Sequence, residues 1–185
     1  MIIGGIALVI FLLFSWVTGT YNSLVKEKVA VQTQQAQIET QLQRRFDLVP
    51  NLVNSVKGAL TQEQKVFGDI AQARTRYAGA PSGSPEKLQA ANQFESALGR
   101  LLVIMENYPE LKSIQAVQDL MVQLEGTENR ISVARQRYNE AVQTYNQHIQ
   151  IFPSNILAGM FGFQPMPLFQ GVAGSDQPPK VDLSQ

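Results

Sequence analysis

The longest periodic stretch of the sequence is LKSIQAVQDLMVQLEGTENRISVARQRYNEAVQTYNQHIQIF, residues 111–152. Its apolar residues recur at steps of three and four, the spacing that keeps one stripe of a helix on one side. This stripe consists of Ile114, Val117, Met121, Leu124, Ile131, Tyr138, Val142, Tyr145, Ile149 and Phe152. A helix of about forty residues is ~60 Å long and needs partner helices to bury such a stripe. The stretch therefore predicts an all-α fold built as a coiled-coil-like helical bundle.

Two charged residues, Glu128 and Arg135, interrupt this stripe. Because an unpaired buried charge is costly, each of them predicts a partner on another helix. The candidate partners are Arg44 and Arg45 for Glu128, and Glu39 and Asp47 for Arg135. We predict a buried polar seam that includes Arg44, Arg45, Glu128 and Arg135 and fixes the helix register; a seam that senses a ligand is the alternative.

Residues 1–20 contain no charged side chain and are long enough to cross a bilayer as one helix. Trp16 and Tyr21 lie where interfacial aromatic residues anchor such a helix. The missing basic N-terminal region and the poor cleavage site favour a transmembrane anchor over a signal peptide. Lys26 and Lys28 follow the anchor, so the positive-inside rule predicts a single-pass protein of the bacterial inner (cytoplasmic) membrane with its N-terminus outside and its bundle cytoplasmic. A periplasmic bundle remains the alternative.

Prolines and glycines divide the rest of the chain. Pro50 and Pro109 each mark a turn between helices or a kink within one, which gives either four helices or a two-armed hairpin. Asp47 fits the N-cap of a helix that carries Pro50 in its first turn. Residues 79–85, rich in proline, glycine and serine, are expected to form a mobile loop.

Residues 153–170 are apolar but are broken by glycine and proline, and they are too short to cross a bilayer. An even number of helical segments returns this stretch to the membrane. We predict that Leu157, Met160, Phe161 and Phe163 contact membrane lipid or a neighbouring subunit; the alternative is that the stretch covers the end of its own bundle. Residues 171–185 are predicted to be disordered.

The composition excludes several kinds of chemistry. Cysteine is absent and His148 is the one histidine, so the sequence predicts no metal site, no cofactor and no catalytic residue. His148 lies off the stripe and is expected to be exposed. Lysine plus arginine and aspartate plus glutamate number fifteen each, which gives no reason to expect nucleic acid as a partner.

Two Tyr-Asn dipeptides, Tyr138-Asn139 and Tyr145-Asn146, lie one heptad apart, and Tyr21-Asn22 repeats the pair after the anchor. Tyrosine has apolar bulk with a polar tip, and asparagine can bond across a helix interface. We favour packing for these residues over a carbohydrate or lipid-headgroup site.

Four spaced motifs resemble those of the LemA family. They are YNSLV at residues 21–25, QLQRRFDLVPNLV at 41–53, ENYPELK at 106–112, and LEGTENRI at 124–131 followed by Ala134-Arg135 and Tyr138-Asn139. The resemblance implies a bacterial single-pass membrane protein with a short outer N-terminus and an up-and-down bundle of about four helices, here residues 21–47, 48–78, 86–107 and 110–152. The family has no established enzymatic activity; its members are often encoded beside membrane zinc metalloproteases, and a related member takes part in magnetosome membrane formation.

We predict that the protein is not an enzyme and that it assembles into homo-oligomers as a scaffold or membrane-organising protein. Its expected partners are membrane lipid and further copies of itself. One alternative is an adaptor or regulator of a membrane metalloprotease. A second alternative is a sensor of a small ligand or of stress.

Overall fold

The structure, a computed structural model, describes residues 2–60 and 62–169. These residues form six α-helices and no strand. The helices are α1 (Ile2–Val56), α2 (Gln64–Gly79), α3 (Pro85–Glu106), α4 (Pro109–Lys112), α5 (Gln115–Gln150) and α6 (Ser154–Phe161). The prediction of an all-α chain that begins with a long apolar helix is confirmed. The tail predicted to be disordered, residues 171–185, lies outside the described residues.

The described residues form two compact units. The first unit contains residues 2–38 and Ser132–Phe169, and the second unit contains Glu39–Ile131. Helices α1 and α5 are continuous through both ranges, so each supplies residues to both units.

In the first unit, α1 begins with an apolar stretch that is exposed on all sides. Among the described residues, α1 is the one helix long and apolar enough to cross a membrane, and none of its most apolar stretch is buried. Further along, α1 buries a heptad row formed by Leu24, Val31 and Ile38. The rest of this core comes from α5 and α6. Its members are Tyr138, Val142, Tyr145, Ile149, Leu157 and Ala158.

In the second unit, α1 passes through Pro50 and ends at Val56, so the predicted boundary between helices 21–47 and 48–78 is wrong. Proline in a helix interior removes one hydrogen bond and disturbs the preceding turn. Here Val49 and Leu52, on either side of the proline, are both completely buried. Their packing keeps the stripe of the helix continuous, which offsets the local cost at Pro50.

Asp47 is therefore inside a helix and is not an N-cap. Its carboxylate accepts a hydrogen bond from Gln43 Nε2 at 3.0 Å, one turn earlier in α1. The break between α1 and α2 lies at residues 57–63 instead. The last predicted helix, 110–152, is also divided, since α4 ends at Lys112 and α5 starts at Gln115.

Helices α2 and α3 form a hairpin whose loop is bound to α1. Ser84 caps α3 by accepting a hydrogen bond from the Lys87 N–H at 3.1 Å, and Pro85 follows it in the first turn. The Glu39 carboxylate accepts from Ser82 Oγ at 2.6 Å and from the Gly83 N–H at 3.0 Å. The loop that the sequence predicts to be mobile is thus hydrogen-bonded through Ser82 and Gly83 to Glu39 of α1, within the second unit.

The core of the second unit is centred on Phe46. Its ring centroid lies 4.1 Å from that of Phe94 and 4.2 Å from that of Tyr77. Aromatic pairs at these separations bury a large area and gain from edge-to-face geometry. Helix α5 contributes the next members of its predicted stripe, which are Val117, Leu124 and Ile131.

Candidate functional site

Two Tyr-Asn dipeptides, Tyr138-Asn139 and Tyr145-Asn146, lie one heptad apart on α5. Both tyrosine side chains are buried in the first unit, and both asparagines are partly exposed beside them. Because a helix turns once every 3.6 residues, a step of seven brings both pairs to the same side of α5. Their four polar tips form a row along the helix, which we call the tyrosine–asparagine ladder.

Each asparagine of the ladder binds both polar groups of one backbone residue. Asn146 Nδ2 donates to the Met166 carbonyl at 2.7 Å, and Asn146 Oδ1 accepts from the Met166 N–H at 2.8 Å. Asn139 binds Phe169 in the same way, at 3.2 Å and 2.7 Å. A carboxamide carries a donor and an acceptor side by side, so each asparagine acts on the segment as one residue of a neighbouring strand does.

The tyrosine hydroxyls of the ladder donate to two further carbonyls. Tyr145 Oη donates to the Gln164 carbonyl at 3.1 Å, and Tyr138 Oη donates to the Pro167 carbonyl at 3.0 Å. Proline has no N–H, and the ladder uses only the carbonyl of Pro167. The ladder therefore fits a segment in which prolines alternate with residues that supply an N–H.

The spacing of the ladder matches the rise of an extended chain. Seven residues advance ~10.5 Å along an α-helix, and three residues of extended chain advance about 9–10 Å. The bound residues of the segment are accordingly three apart. Residues with higher numbers in the segment bind residues with lower numbers on α5. Residues 164–169 thus run antiparallel to α5 and are fixed to it through their backbone.

Both tyrosines of the ladder have pKa values above the ordinary one. Burial raises the pKa of Tyr138 above its ordinary value. Burial also raises the pKa of Tyr145, and the charge of Glu27 adds to that increase. Only the neutral phenol carries the proton that each carbonyl of the segment accepts.

Arg135 lies beside the end of the ladder, in the first unit. Its guanidinium carbon is 4.6 Å from the centroid of the Phe169 ring, a cation–π contact. The sequence predicts a seam in which Arg135 pairs with Glu39 or Asp47. Glu39 instead binds the α2–α3 loop through Ser82, in the second unit.

His148 joins α5 to α1 in the first unit. Its Nδ1 lies 2.8 Å from Glu27 Oε1 and 3.0 Å from Oε2, and Ser23 Oγ donates to the same carboxylate at 3.3 Å. The expectation of a solvent-exposed histidine is wrong, because its side chain is only 23% exposed. The reason is that α1 packs along this part of α5.

Helix α6 packs against α1 where the apolar stretch of α1 ends. The ring centroids of Phe161 and Phe163 lie 4.9 Å and 5.8 Å from that of Tyr21, both with edge-on geometry. Lys28 Nζ lies 6.0 Å from the Phe163 ring. Because Tyr21 directly follows residues 1–20, this contact brings α6 to the end of the predicted anchor.

The four residues predicted to contact membrane or subunit have different surroundings. Leu157 is 4% exposed and belongs to the core of its own unit. Phe161 and Phe163 pack on Tyr21 of the same unit, and Phe161 is still 50% exposed. Met160 remains 73% exposed.

Met160 belongs to an exposed apolar row on and just before α6. Phe152, Ile156 and Met160 follow at steps of four, and they are 78%, 53% and 73% exposed. Ile156 and Met160, four residues apart on α6, lie on one side of that helix, and Phe152 lies in the turn before it. We call these three residues the apolar row; its members on α6, Ile156 and Met160, are exposed beside the buried Leu157 and Ala158.

Arg45 lies in the second unit between two carboxylates. Its Nη1 is 3.0 Å from Glu95 Oε2 and also contacts the Glu128 carboxylate. Sequence reasoning named Glu128 but missed Glu95, the more buried of the two at 16% side-chain exposure against 49%. Arg44, the fourth residue of the predicted seam, is exposed. The structure therefore brings together two of the four predicted seam residues.

Glu128 is exposed because the buried stripe of α5 shifts by one residue there. The buried positions are Thr127 and Ala134, which are 2% and 7% exposed. A straight helix drifts about 20° per heptad relative to a 3.5-residue repeat, so a strict heptad reading moves off the core over several turns. That drift carries Glu128 to the edge of the stripe.

A comparison with known protein families gives a match over most of the chain. The model described as the LemA family matches residues 34–183, which include both Tyr-Asn pairs and α6. The chain belongs to the LemA family.

Individual relatives of this LemA protein are of two kinds. The magnetosome protein MamQ 2 of Paramagnetospirillum magneticum is 29% identical over 183 residues, covering 85% of this chain and 67% of that protein. The magnetosome protein MamQ of Magnetospirillum gryphiswaldense is 27% identical with the same coverage. The protein LemA of Metamycoplasma hominis is 22% identical over 152 residues, covering 82% of this chain and 69% of that protein.

In this LemA protein the ladder is suited to binding. Two carboxamides and two neutral phenols offer hydrogen bonds to peptide groups, and none of the four is a strong base or nucleophile. Over residues 2–60 and 62–169, no three histidine, aspartate or glutamate side chains are placed to hold a metal ion.

Proposed function

We propose that this LemA protein is a non-enzymatic, single-pass protein of the bacterial inner membrane that self-associates as a membrane-organising scaffold. One contact carries the proposal, the packing of Phe161 on Tyr21 at the end of the apolar stretch of α1. Through it, the apolar row and the anchor belong to the same end of the first unit.

The exposed residues at this end support a membrane location. Large apolar side chains from Ile2 to Phe14 are more than half exposed, an arrangement that is stable in hydrocarbon and costly in water. Phe152 and Met160 of the apolar row are exposed to a similar degree. An apolar row beside an anchor is suited to lie at the bilayer surface or against the same row of a neighbouring copy.

The proposed orientation rests on charge. The first basic residues after the anchor are Lys26 and Lys28, and the next are Arg44 and Arg45. Basic residues close to a membrane helix favour the cytoplasmic side. Both helical units then lie in the cytoplasm and the N-terminus lies outside.

The relatives support a role at a membrane. The MamQ relatives are named as magnetosome proteins, and their similarity agrees with a membrane-associated role of this chain. We carry over that class of role and no magnetosome component.

The mass of the full-length protein in nanodiscs tests self-association. We expect a discrete oligomer that is reduced towards the monomer by Ile156→Ser with Met160→Ser. Val103→Ser with Val122→Ser is the matched control, because these residues of the second unit are 62% and 69% exposed, and it should leave the oligomer unchanged. A monomeric parent protein would overturn the scaffold proposal and favour the metalloprotease adaptor.

Sidedness is tested with the same cysteine-free chain. Asn129→Cys introduces a single thiol at an exposed position of α5. A membrane-impermeant thiol reagent should fail to label it in intact spheroplasts and should label it after lysis. Labelling before lysis would place the units on the periplasmic side.

A further inference from the structure

The ladder recognises the backbone of its segment. Six hydrogen bonds join it to residues 164–169, and each of them ends on a main-chain carbonyl or N–H of the segment. The N–H groups used are those of Met166 and Phe169, and Pro165 and Pro167 are not required to donate. The ladder thus selects an extended segment that has free N–H groups three residues apart and admits proline between them.

We propose that the tyrosine–asparagine ladder is a binding site for extended, proline-containing segments, and that its ligand between molecules is residues 164–169 of a second copy of this chain. Within one copy, the segment occupies its own ladder. Between copies, the segment of one molecule binds the ladder of the next. This inference rests on the proposed self-association and gives it a mechanism.

A second copy is the partner that the contacts favour. Every copy carries a segment that already fits the ladder, and an exchanged segment makes the same six hydrogen bonds as the original one, so exchange loses no contact at the ladder. The anchor confines copies to one plane, which raises the concentration of each segment around its neighbours. Exchange is therefore expected to increase with the surface density of the protein.

The chain also has a suitable point at which to redirect the segment. Gly162 ends α6 with φ of +72°, in the left-handed region that glycine adopts readily, and the Phe163 N–H donates back to the Ala158 carbonyl at 2.9 Å. Residues 164–169 begin directly after this cap and contain no helix or strand. Because this cap and the Phe163 contact with Tyr21 lie before residue 164, a change of backbone angles after Phe163 alters the path of the segment without disturbing α6.

Two complementary full-length variants test the exchange. Met166→Pro with Phe169→Pro removes the two N–H groups that the ladder uses, and we call this the segment variant. Asn139→Ala with Asn146→Ala removes both carboxamides, and we call this the ladder variant. Leu168→Pro is the matched control, since it adds a proline at a residue of the segment that makes no hydrogen bond with the ladder.

The variants are labelled at Asn129→Cys and mixed in vesicles, and association is followed by energy transfer. The segment variant and the ladder variant should associate with each other about tenfold more tightly than either does with itself, because only the mixed pair has one intact ladder and one intact segment. The control should behave as the parent.

A labelled peptide with the sequence of residues 162–169 measures the site alone. It should bind the segment variant and fail to bind the parent, whose ladder is already occupied. Adding Asn146→Ala to the segment variant should weaken peptide binding about tenfold, through the loss of two hydrogen bonds.

Each outcome decides a different part of the proposal. No peptide binding to a segment variant that keeps the helical content of the parent would overturn the site. Peptide binding without a mixed complex would show that the site is real and that its partner is not a second copy. An oligomer in nanodiscs that persists unchanged in both variants would overturn exchange and leave the scaffold proposal standing.

If the proline variant does not fold, single cysteines replace it. Copies with Asn146→Cys are mixed with copies that carry Met166→Cys, and oxidation follows; the remaining Asn139 and tyrosine contacts hold the segment in place. A disulfide between copies supports exchange. A disulfide that forms only when both cysteines are on one chain would overturn it.

Discussion

Asn146 binds Met166 through both polar groups of its backbone, with hydrogen bonds of 2.7 Å and 2.8 Å. One helical side chain therefore takes the place of a neighbouring strand. The same arrangement recurs seven residues earlier, where Asn139 binds Phe169. This repeat converts a helix surface into a surface that fixes an extended chain in one register and one direction.

Replacing Asn146 by alanine should release the middle of the segment. Two hydrogen bonds are lost, and because each contributes about 0.5–1.5 kcal/mol, the free energy of unfolding should fall by about 1–3 kcal/mol. Hydrogen exchange of the Met166 amide should accelerate by more than that of the Phe169 amide. Asn129→Ala, at an exposed position of the same helix, is the control. Equal protection of Met166 in both variants would contradict the bidentate contact.

Alkaline pH should lower the stability of the folded protein through the two tyrosines of the ladder. The folded-state pKa of Tyr138 and that of Tyr145 lie above the ordinary value of 10.0, so the folded protein keeps protons that the unfolded chain loses. Their contribution to stability is complete below pH 10 and decreases as the pH rises through the folded-state pKa values. Urea unfolding at stepped pH should show a decline above pH 10. In Tyr138→Phe with Tyr145→Phe this decline should be smaller, and stability at neutral pH should be lower.

Replacing Tyr77 by phenylalanine should raise stability at neutral pH, whereas the same replacement at Tyr138 and Tyr145 should lower it. Burial and the charge of Glu39 raise the pKa of Tyr77 to about 12, and its hydroxyl has no hydrogen-bond partner among the described residues. Tyr77→Phe keeps the ring against Phe46 and removes a buried polar group, so the free energy of unfolding should rise by about 1 kcal/mol. Tyr145→Phe, which loses its bond to Gln164, should lower it by a similar amount. A destabilised Tyr77→Phe protein would show that its hydroxyl is bonded.

The sequence predicts the local features of this fold well. The heptad row Val117, Leu124, Ile131, Tyr138 and Tyr145 is buried throughout, since helical periodicity depends on neighbouring residues alone. The first residues of α3 follow the expected proline and serine signals, and α3 ends one residue before the predicted boundary. Pro50 shows the limit of such signals, because tertiary packing on both sides keeps its helix continuous.

The site could be predicted only in part. The repeated Tyr-Asn dipeptide is visible in the sequence, but its ligand is a backbone segment 19 to 30 residues away, and backbone groups leave no mark on residue type. The alternating Pro165 and Pro167 are the one signal that could have indicated an extended segment of this kind. The sequence indicates Glu128 as a partner of Arg45 because Glu128 interrupts the apolar stripe of α5. It does not indicate Glu95, because that residue interrupts no apolar stripe of its own helix.

The two carboxylates around Arg45 should differ in their effect on stability. Arg45 is 7% exposed, so Arg45→Met removes the guanidinium from Glu95, the more buried carboxylate, and breaking a buried pair costs about 3–5 kcal/mol. Glu128 is half exposed, and Glu128→Gln should cost about 1 kcal/mol or less because water screens that side of the pair. Arg44→Met, at the exposed neighbouring position, controls for the loss of one positive charge and should have little effect. Urea unfolding of the three variants at two salt concentrations checks the order. Equal losses for Arg45→Met and Arg44→Met would show that the pair with Glu95 does not stabilise the second unit, and a loss for Glu128→Gln as large as that for Arg45→Met would show that Glu128 is the principal partner.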